Sequence, residues 1–123
     1  MIVLVLRAYV LLLLFEALMV RRNFATLYRC VSGHPVRLPQ SARNCEQVCR
    51  AVNVACVLYF KEVQCLQRSA ALVSLLRDFG IPAMLVIGAQ RLPFRAHAWA
   101  EVSGRVVNDS ESSVRLYGVL DRL

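Results

Sequence analysis

The chain has 123 residues, which is the length of one domain with a modest hydrophobic core. Its hydrophobic fraction of 58% is high for a small protein, and its formal net charge is +7. The basic residues are scattered and no aromatic–basic stacking motif accompanies them, so nucleic-acid binding is not expected. The apolar excess instead predicts that part of the surface faces a protein, a peptide or a membrane.

The cysteines do not follow the spacing of a secreted disulfide framework, and their number is odd. They are Cys30, Cys45, Cys49, Cys56 and Cys65. No histidine or third cysteine close to Cys45 and Cys49 completes a zinc site, so neither a metal nor another cofactor is expected. Because no clean signal peptide is present, we interpret most of these thiols as small buried side chains in a reducing cytoplasm.

The N-terminal stretch "MIVLVLRAYVLLLLFEALMV" is the most apolar part of the chain. Arg7 and Glu16 interrupt it, which argues against a membrane span. The pattern predicts a helix within residues 1–22 that is apolar on nearly all sides. Three placements remain open for it: packed into the domain or covered by a partner, lying on a membrane surface, or crossing the membrane.

The helical pattern weakens between residues 23 and 40, where "SGHPVRLP" predicts a loop. His34 lies in this loop, directly before a proline, and we interpret it as an ordinary loop histidine. A second helix is predicted to begin with Ser41 as its N-cap, because apolar residues then recur at spacings of three and four.

The third predicted helix begins near Cys65 in "CLQRSAALVSLLRDFGIPA" and ends at Gly80, since Pro82 prevents continuation. The apolar run "AMLVIG" predicts a strand, "FRAHAWAEVSGRVVND" a hairpin and "SVRLYGVL" a further strand. Helices followed by antiparallel strands predict an α+β domain, in which the N-terminal helices pack on a small sheet.

Three side chains suggest a nucleophilic site. A cysteine at the N-terminus of a helix is stabilised as a thiolate, and the free amides of the first turn can hold an oxyanion. Cys65 is in that position. His97 lies in the first strand of the hairpin and Asp109 follows the second, so a Cys-His-Asp site and an ordinary histidine in a sheet are competing interpretations.

The register of the hairpin decides which side chain faces His97. A loop of residues 102–104 places Glu101 opposite Arg105 and His97 opposite Asp109. A two-residue loop instead places Ser110 opposite His97, because a slip of one residue moves each side chain to the other face. The Glu101–Arg105 charge pair favours the first register.

The motifs "CLQRSAAL", "GIPAMLVIG", "PFRAHAWAEV" and "GRVVND" resemble, in order and spacing, those of the transglutaminase-like leader peptidases of bacterial lasso peptide biosynthesis. The resemblance covers residues 65–109 and implies a papain-like core with Cys65, His97 and Asp109 as the catalytic triad. It also implies that residues 1–123 form a single peptidase domain. The implied activity is removal of the leader from a ribosomally made precursor, often after a site with threonine at the penultimate leader position.

The resemblance also implies partners: the leader region of the precursor peptide, a separate small leader-recognition protein and an ATP-dependent cyclase. The expected location is the cytoplasm, with contact to the inner face of the membrane through residues 1–22 left open. Arg68, Trp99 and Asn108 are further candidates for substrate binding or for support of the triad. An acyltransferase with the same fold and a non-catalytic scaffold protein are the alternative functions.

Overall fold

The computed structural model describes residues 1–38 and 44–123, and within them five helices and four strands. The helices are α1 (Ile2–Val20), α2 (Phe24–Ser32), α3 (Cys45–Leu58), α4 (Cys65–Asp78) and α5 (Glu111–Val114). The strands are β1 (Ala83–Gln90), β2 (Arg95–Val102), β3 (Arg105–Val106) and β4 (Gly118–Arg122). The sheet is antiparallel with the order β3-β2-β1-β4, so the predicted α+β architecture is confirmed.

Helix α4 is the centre of the domain. Its residues 69–77 are all buried, because α1 and α3 pack on one side of it and β1 and β2 on the other. The helix ends where predicted, with Phe79 as C-cap and Gly80 at φ 81°. Glycine adopts this left-handed conformation without strain, so the chain turns here from the helix into the sheet.

Helix α1 is apolar on both of its faces. Leu4, Ala8, Leu12 and Phe15 are buried against the domain, whereas the opposite face is exposed. The helix ends at Val20, two residues before the predicted end. By length and composition α1 is able to cross a membrane, although one of its faces belongs to the core of this domain.

Helix α2 was not predicted from the sequence. Its first turn is capped by Asn23, whose side chain accepts a hydrogen bond from the Thr26 amide. Only Leu27 and Val31 are buried, which is too few positions for a clear periodic signal. The predicted N-cap of the next helix, Ser41, lies outside the described residues; α3 begins after Asn44, which forms a capping box with Gln47.

The register chosen for the hairpin is wrong. Glu101 pairs with Val106 and Val102 with Arg105, so the loop is the two-residue turn Ser103–Gly104. Both turn residues have positive φ, 52° and 78°, as the tightest hairpin turns require. The second strand is also short: β3 ends after Val106, and the chain then bends away from the sheet.

Candidate active site

Cys65 is the first residue of α4, and the start of this helix is fixed by the buried side chain of Gln67. The Gln67 side-chain oxygen accepts a hydrogen bond from the Gln64 amide at 3.3 Å, and its Nε2 donates to the Leu12 carbonyl on α1 at 2.8 Å. The thiol itself is partly exposed. Packing against α1 thus holds the first turn of α4 in place while Cys65 faces a cleft.

Two small cavities open on this thiol, and both also contact His97 and Ala98. One has a volume of about 100 Å³ and is largely apolar, with Tyr28, Leu66, Ile87 and Ala96 completing its wall. The other, of about 110 Å³, is polar and is completed by Arg68, Ser69, Asn108 and Asp109. The structure therefore brings Cys65, His97 and Asp109 to the same cleft.

His97 and Asp109 are directly hydrogen-bonded. The His97 Nε2–H donates to Asp109 Oδ2 at 2.5 Å, and the Ser110 amide donates to Oδ1 at 2.7 Å. Burial alone would raise the pKa of the Asp109 carboxyl, but these two hydrogen bonds and the charges of His97 and Arg68 lower it overall. Asp109 thus stays ionised and fixes the imidazole, whose other nitrogen, Nδ1, is left for a second partner.

Asp109 reaches His97 because Asn108 interrupts the strand pairing. The Val107 amide still donates to the Ala100 carbonyl at 3.0 Å, in line with the two-residue turn. At the next residue the Asn108 side chain takes over: its Oδ1 accepts from the Ala100 amide at 2.8 Å, and its Nδ2 donates to Ser69 Oγ at 2.9 Å. The backbone after Val107 therefore does not continue the pairing with β2. It bends there, and the bend turns Asp109 toward His97.

Ser69 was not identified from the sequence. Its hydroxyl donates to the Ala98 carbonyl at 3.2 Å while accepting from Asn108, so it joins α4 to β2 beside the cleft. The available signal was its position four residues after Cys65, which places both on one face of the helix.

Of the other predicted residues, Arg68 lines the polar cavity and Trp99 lines neither cavity. The Arg68 guanidinium donates to Asn53 Oδ1 at 2.6 Å, which fixes it between α3 and the cleft. Trp99 is 2% exposed, and its Nε1–H donates to Glu101 at 2.9 Å. The indole is therefore packed in the sheet behind the site and does not form a wall of the cleft.

An aromatic group, formed by the rings of Trp99 and Tyr117, packs beside the imidazole of His97. The Tyr117 ring lies 5.2 Å and the Trp99 ring 5.9 Å from the His97 ring, centroid to centroid. Gly88 pairs with His97 across the sheet, and a Cβ there would lie 2.7 Å from the Trp99 ring and 3.0 Å from Tyr117 Cβ. A glycine inside a strand indicates such close packing, so Gly88 is the sequence feature that could have predicted this aromatic contact.

Two of the other cysteines are poor candidates for a nucleophile. Burial, followed by the neighbouring Cys45, raises the pKa of Cys49 to about 12. Burial also raises the pKa of Cys56. Both side chains therefore remain neutral thiols at physiological pH, which makes them poor nucleophiles.

A larger cavity, of about 510 Å³, lies beside the β2–β3 turn and contacts Glu101 and Arg122. Neither a cysteine nor a histidine lines it. We therefore place the candidate site in the two smaller cavities, because both are lined by Cys65 and His97.

Comparison with known proteins agrees with this architecture. The transglutaminase-like superfamily matches residues 8–122, almost the whole chain, and the protein belongs to that superfamily. Over 46 residues the chain is 48% identical to the microcin J25-processing protein McjB of Escherichia coli. This segment is 37% of the present chain and 22% of McjB, so the chain spans well under two thirds of that relative. No solved structure matches the chain. The resemblance to a lasso peptide leader peptidase is therefore confirmed at the level of family and partial similarity.

Proposed function

We propose that this protein is a cysteine peptidase that removes the leader from a lasso peptide precursor. The observation that supports this most strongly is the shared cleft: a cysteine at the N-terminus of α4 lines the same cavity as a histidine that is hydrogen-bonded to an aspartate. The partial identity to a microcin-processing protein supports the substrate class. In this proposal residues 1–123 act as one peptidase domain, with Cys65, His97 and Asp109 as the triad.

In the first half of the proposed reaction, His97 Nδ1 takes the proton of the Cys65 thiol. The thiolate attacks the carbonyl carbon at the leader–core junction, and the Cys65 amide helps to hold the oxyanion. The C–N bond then breaks, His97 protonates the departing core amine, and the leader remains on Cys65 as a thioester.

In the second half, His97 takes a proton from water, and the resulting hydroxide attacks the thioester carbonyl. The C–S bond breaks, the leader leaves with a free carboxylate, and the thiol recovers its proton from His97. Asp109 keeps the imidazole in the tautomer with a hydrogen on Nε2 and stabilises its charged form. Asn108 and Ser69 act on Asp109 only through the backbone, so we assign them a positioning role.

The apolar cavity beside Cys65 is the proposed site for a side chain next to the scissile bond. Its volume of about 100 Å³ suits a small side chain, and Leu66, Ile87 and Ala96 offer it aliphatic contacts. Such a pocket is compatible with the penultimate leader threonine that the resemblance implies. Arg68, at the polar side of the cleft, is placed to contact a substrate carbonyl or carboxylate.

The proposed partners follow from this substrate class. They are the leader region of the precursor, a separate leader-recognition protein and the ATP-dependent cyclase that closes the ring. The free thiols of all five cysteines agree with the proposed cytoplasmic location.

The test is mass spectrometry of a precursor peptide incubated with the recognition protein and with wild type, Cys65→Ala or Cys30→Ala. Cys30 is an exposed thiol on α2 that lines neither cavity, so it controls for the loss of a thiol as such. We expect one cut at the leader–core junction, unchanged in Cys30→Ala and absent in Cys65→Ala.

Two other results would contradict the proposal. A leader that gains the mass of an amine would show acyl transfer in place of hydrolysis. An uncut precursor with folded wild type and recognition protein present would support a non-catalytic scaffold, provided that Cys65 also fails to react preferentially with a thiol alkylator.

A further inference from the structure

Strand β2 is covered on only part of its outer edge, the edge that faces away from β1. All eight of its residues pair with β1, whereas β3 pairs with the last two alone. The Val107 amide and the Asn108 side chain extend this cover as far as Ala100. In the described part of the chain, no strand therefore lies beside the first half of the outer edge, residues 95–98, which we call the open edge of β2.

The backbone groups of Ala96 point outward from this open edge. Along a strand, the amide and carbonyl of successive residues face the two neighbouring strands in alternation. Those of Ala100 are bonded on the β3 side, so those of Ala98 and Ala96 point the same way. The bond from the Ser69 hydroxyl to the Ala98 carbonyl agrees with this direction. Among the described residues, neither the amide nor the carbonyl of Ala96 has a hydrogen-bond partner, and the residue is exposed.

The open edge of β2 is continuous with the candidate active site. Ala96 and Ala98 line the apolar cavity together with Cys65, and His97 lies between them in the strand. Neighbouring strands lie about 4.8 Å apart, so a chain paired with Ala96 would run along the cleft beside the thiol. A peptide that presents a carbonyl carbon to Cys65 therefore passes the unpaired backbone groups of Ala96.

The accessibility of Ala96 differs from the usual treatment of a strand edge. Proteins protect an open edge with a proline, an inward-pointing charge, a bulge or a covering segment, because unpaired amides and carbonyls bind other chains. β2 has such a covering segment at Ala100, where Asn108 takes the place of a strand partner. At Ala96 the pairing with β1 is regular and the side chain is a single methyl group, so the backbone stays accessible. On β2, the part of the edge that borders Cys65 is thus the part left open.

We propose that the substrate chain around the scissile bond binds as an additional strand on the open edge of β2, with backbone hydrogen bonds to the amide and carbonyl of Ala96. This inference rests on the peptidase function proposed above and names how the same site holds its substrate. Main-chain pairing supplies affinity that is independent of the side chains, whereas pockets for alternate side chains supply specificity. Because Ala96 directly precedes His97, the same contact holds the scissile carbonyl close to the base.

The experiment uses Cys65→Ala, which is expected to bind the precursor without cleaving it, with unlabelled recognition protein present throughout. Nuclear magnetic resonance measures hydrogen exchange of individual amides before and after addition of a synthetic peptide that spans the leader–core junction. We expect the peptide to slow exchange of the Ala96 amide at least about tenfold. Gly104 is the matched control, because it is exposed in the β2–β3 turn and lines neither cavity on Cys65, and its exchange should not change.

A second measurement locates the hydrogen bonds on the peptide. Methylation of one backbone amide at a time removes one donor, and in an extended strand only every second amide faces β2. We expect the affinity for Cys65→Ala to fall about five- to tenfold at alternate positions of the junction and to stay within about twofold at the positions between them. An equal loss at every position, or an unchanged exchange rate of Ala96 with peptide bound, would overturn the proposal.

Cleavage by wild type separates this proposal from the peptidase function. Cleavage of the unmethylated peptide without protection of Ala96 would keep the peptidase and overturn the strand pairing. Protection of Ala96 with alternating losses, but without cleavage, would keep the pairing and overturn the peptidase. Protection of Ala96 that rises with protein concentration in the absence of peptide would assign the open edge to a second copy of the chain and overturn the proposal.

Discussion

Both histidines of the chain are hydrogen-bonded to an aspartate, yet only one of the two pairs resembles a catalytic site. His34 Nε2 lies 2.7 Å from Asp78 Oδ1, and the same carboxylate also binds Arg7 at 2.9 Å and Arg37 at 3.5 Å. His97 Nε2 lies 2.5 Å from Asp109, whose other oxygen accepts one backbone amide.

The two histidine–aspartate pairs differ in the residues that surround them. The His34–Asp78 pair joins the loop after α2 to the end of α4. Next to it, the buried Arg77 guanidinium donates to the carbonyls of Val31, His34, Ala83 and Leu123. The contacts in that region stabilise the fold, and two guanidinium groups bind the Asp78 carboxylate. The His97–Asp109 pair instead opens on a cleft that holds a cysteine. A hydrogen bond between a histidine and an aspartate is therefore not by itself a sign of a catalytic site, and the neighbouring cysteine is what distinguishes the His97–Asp109 pair.

Substituting each histidine by alanine gives the largest expected contrast. His97→Ala should lower the rate of leader cleavage at least about a thousandfold, because it removes the group that serves as both base and acid in the proposed reaction. His34→Ala should leave the rate within about threefold and lower the unfolding free energy by roughly 1–2 kcal/mol, since two arginines still compensate Asp78. Cleavage rates and urea unfolding of both variants test this, and an active His97→Ala would remove the catalytic assignment.

Substituting the two aspartates should give the same contrast between activity and stability, with a somewhat smaller effect on the cleavage rate. Asp109→Asn is expected to reduce cleavage about a hundredfold or more, because the imidazole loses its orienting carboxylate. Asp78→Asn should reduce stability and leave cleavage nearly unchanged. The cleavage rate of Asn108→Ala should lie between the rates of these two variants. Its free energy of unfolding should fall by roughly 1–3 kcal/mol, because the Ala100 amide loses its partner. Lower activity in Asn108→Ala than in Asp109→Ala would exchange the roles of these two residues.

The sequence predicted the three triad candidates but not how the chain brings two of them together. Cys65 was found from the helix start, and His97 and Asp109 from the hairpin, yet the assumed three-residue loop was wrong. The backbone selected the two-residue Ser103–Gly104 turn, and local pairing alone would then have placed Ser110 beside His97. Asn108 corrects this by bonding to Ala100 and Ser69, a long-range contact that no strand periodicity contains.

The sequence predicted the elements that have a strong apolar repeat. It did not predict the short helices whose first turn depends on a capping side chain. The apolar repeat of α4 and the bounded run of β1 gave both elements nearly to their ends. Helix α2 depends on the Asn23 cap and two buried residues, and the four-residue α5 depends on the Ser110 hydroxyl bonding to the Ser113 amide. Helices this short are marginal by propensity and contain too few residues for an apolar repeat, so a sequence pattern does not reveal them.

Gly88 tests whether the aromatic group behind His97 distinguishes that histidine from His34. Gly88→Ala should destabilise the protein by roughly 1–3 kcal/mol, because the new Cβ overlaps the Trp99 ring. Since Trp99 and Tyr117 flank the imidazole, cleavage should also fall in the fraction that remains folded. Gly118→Ala is the control, with a Cβ 3.7 Å from the nearest atom, the Ala89 carbonyl oxygen. Equal unfolding curves for the two variants would show that the close packing at Gly88 does not contribute to the free energy of unfolding.

The smallest expected effect is the acid dependence of the His97–Asp109 hydrogen bond. Hydrogen bonds and nearby positive charge hold the pKa of Asp109 below its ordinary value of 3.8 despite the opposing effect of burial. A lowered pKa in the folded state stabilises the protein at pH values above about 4, and this contribution is lost as the pH falls through the folded-state pKa. Because the pair is partly exposed, we expect less than about 1 kcal/mol.

Urea unfolding between about pH 6 and pH 2.5 measures this contribution. The difference between wild type and Asp109→Asn should shrink toward acid pH. Asp121→Asn controls for the local backbone bond, because Asp121 accepts the following amide at 2.8 Å just as Asp109 does at 2.7 Å. The excess pH dependence of Asp109→Asn over this control is then the part that His97 supplies. An excess of zero would mean that the hydrogen bond to His97 does not stabilise the Asp109 carboxylate.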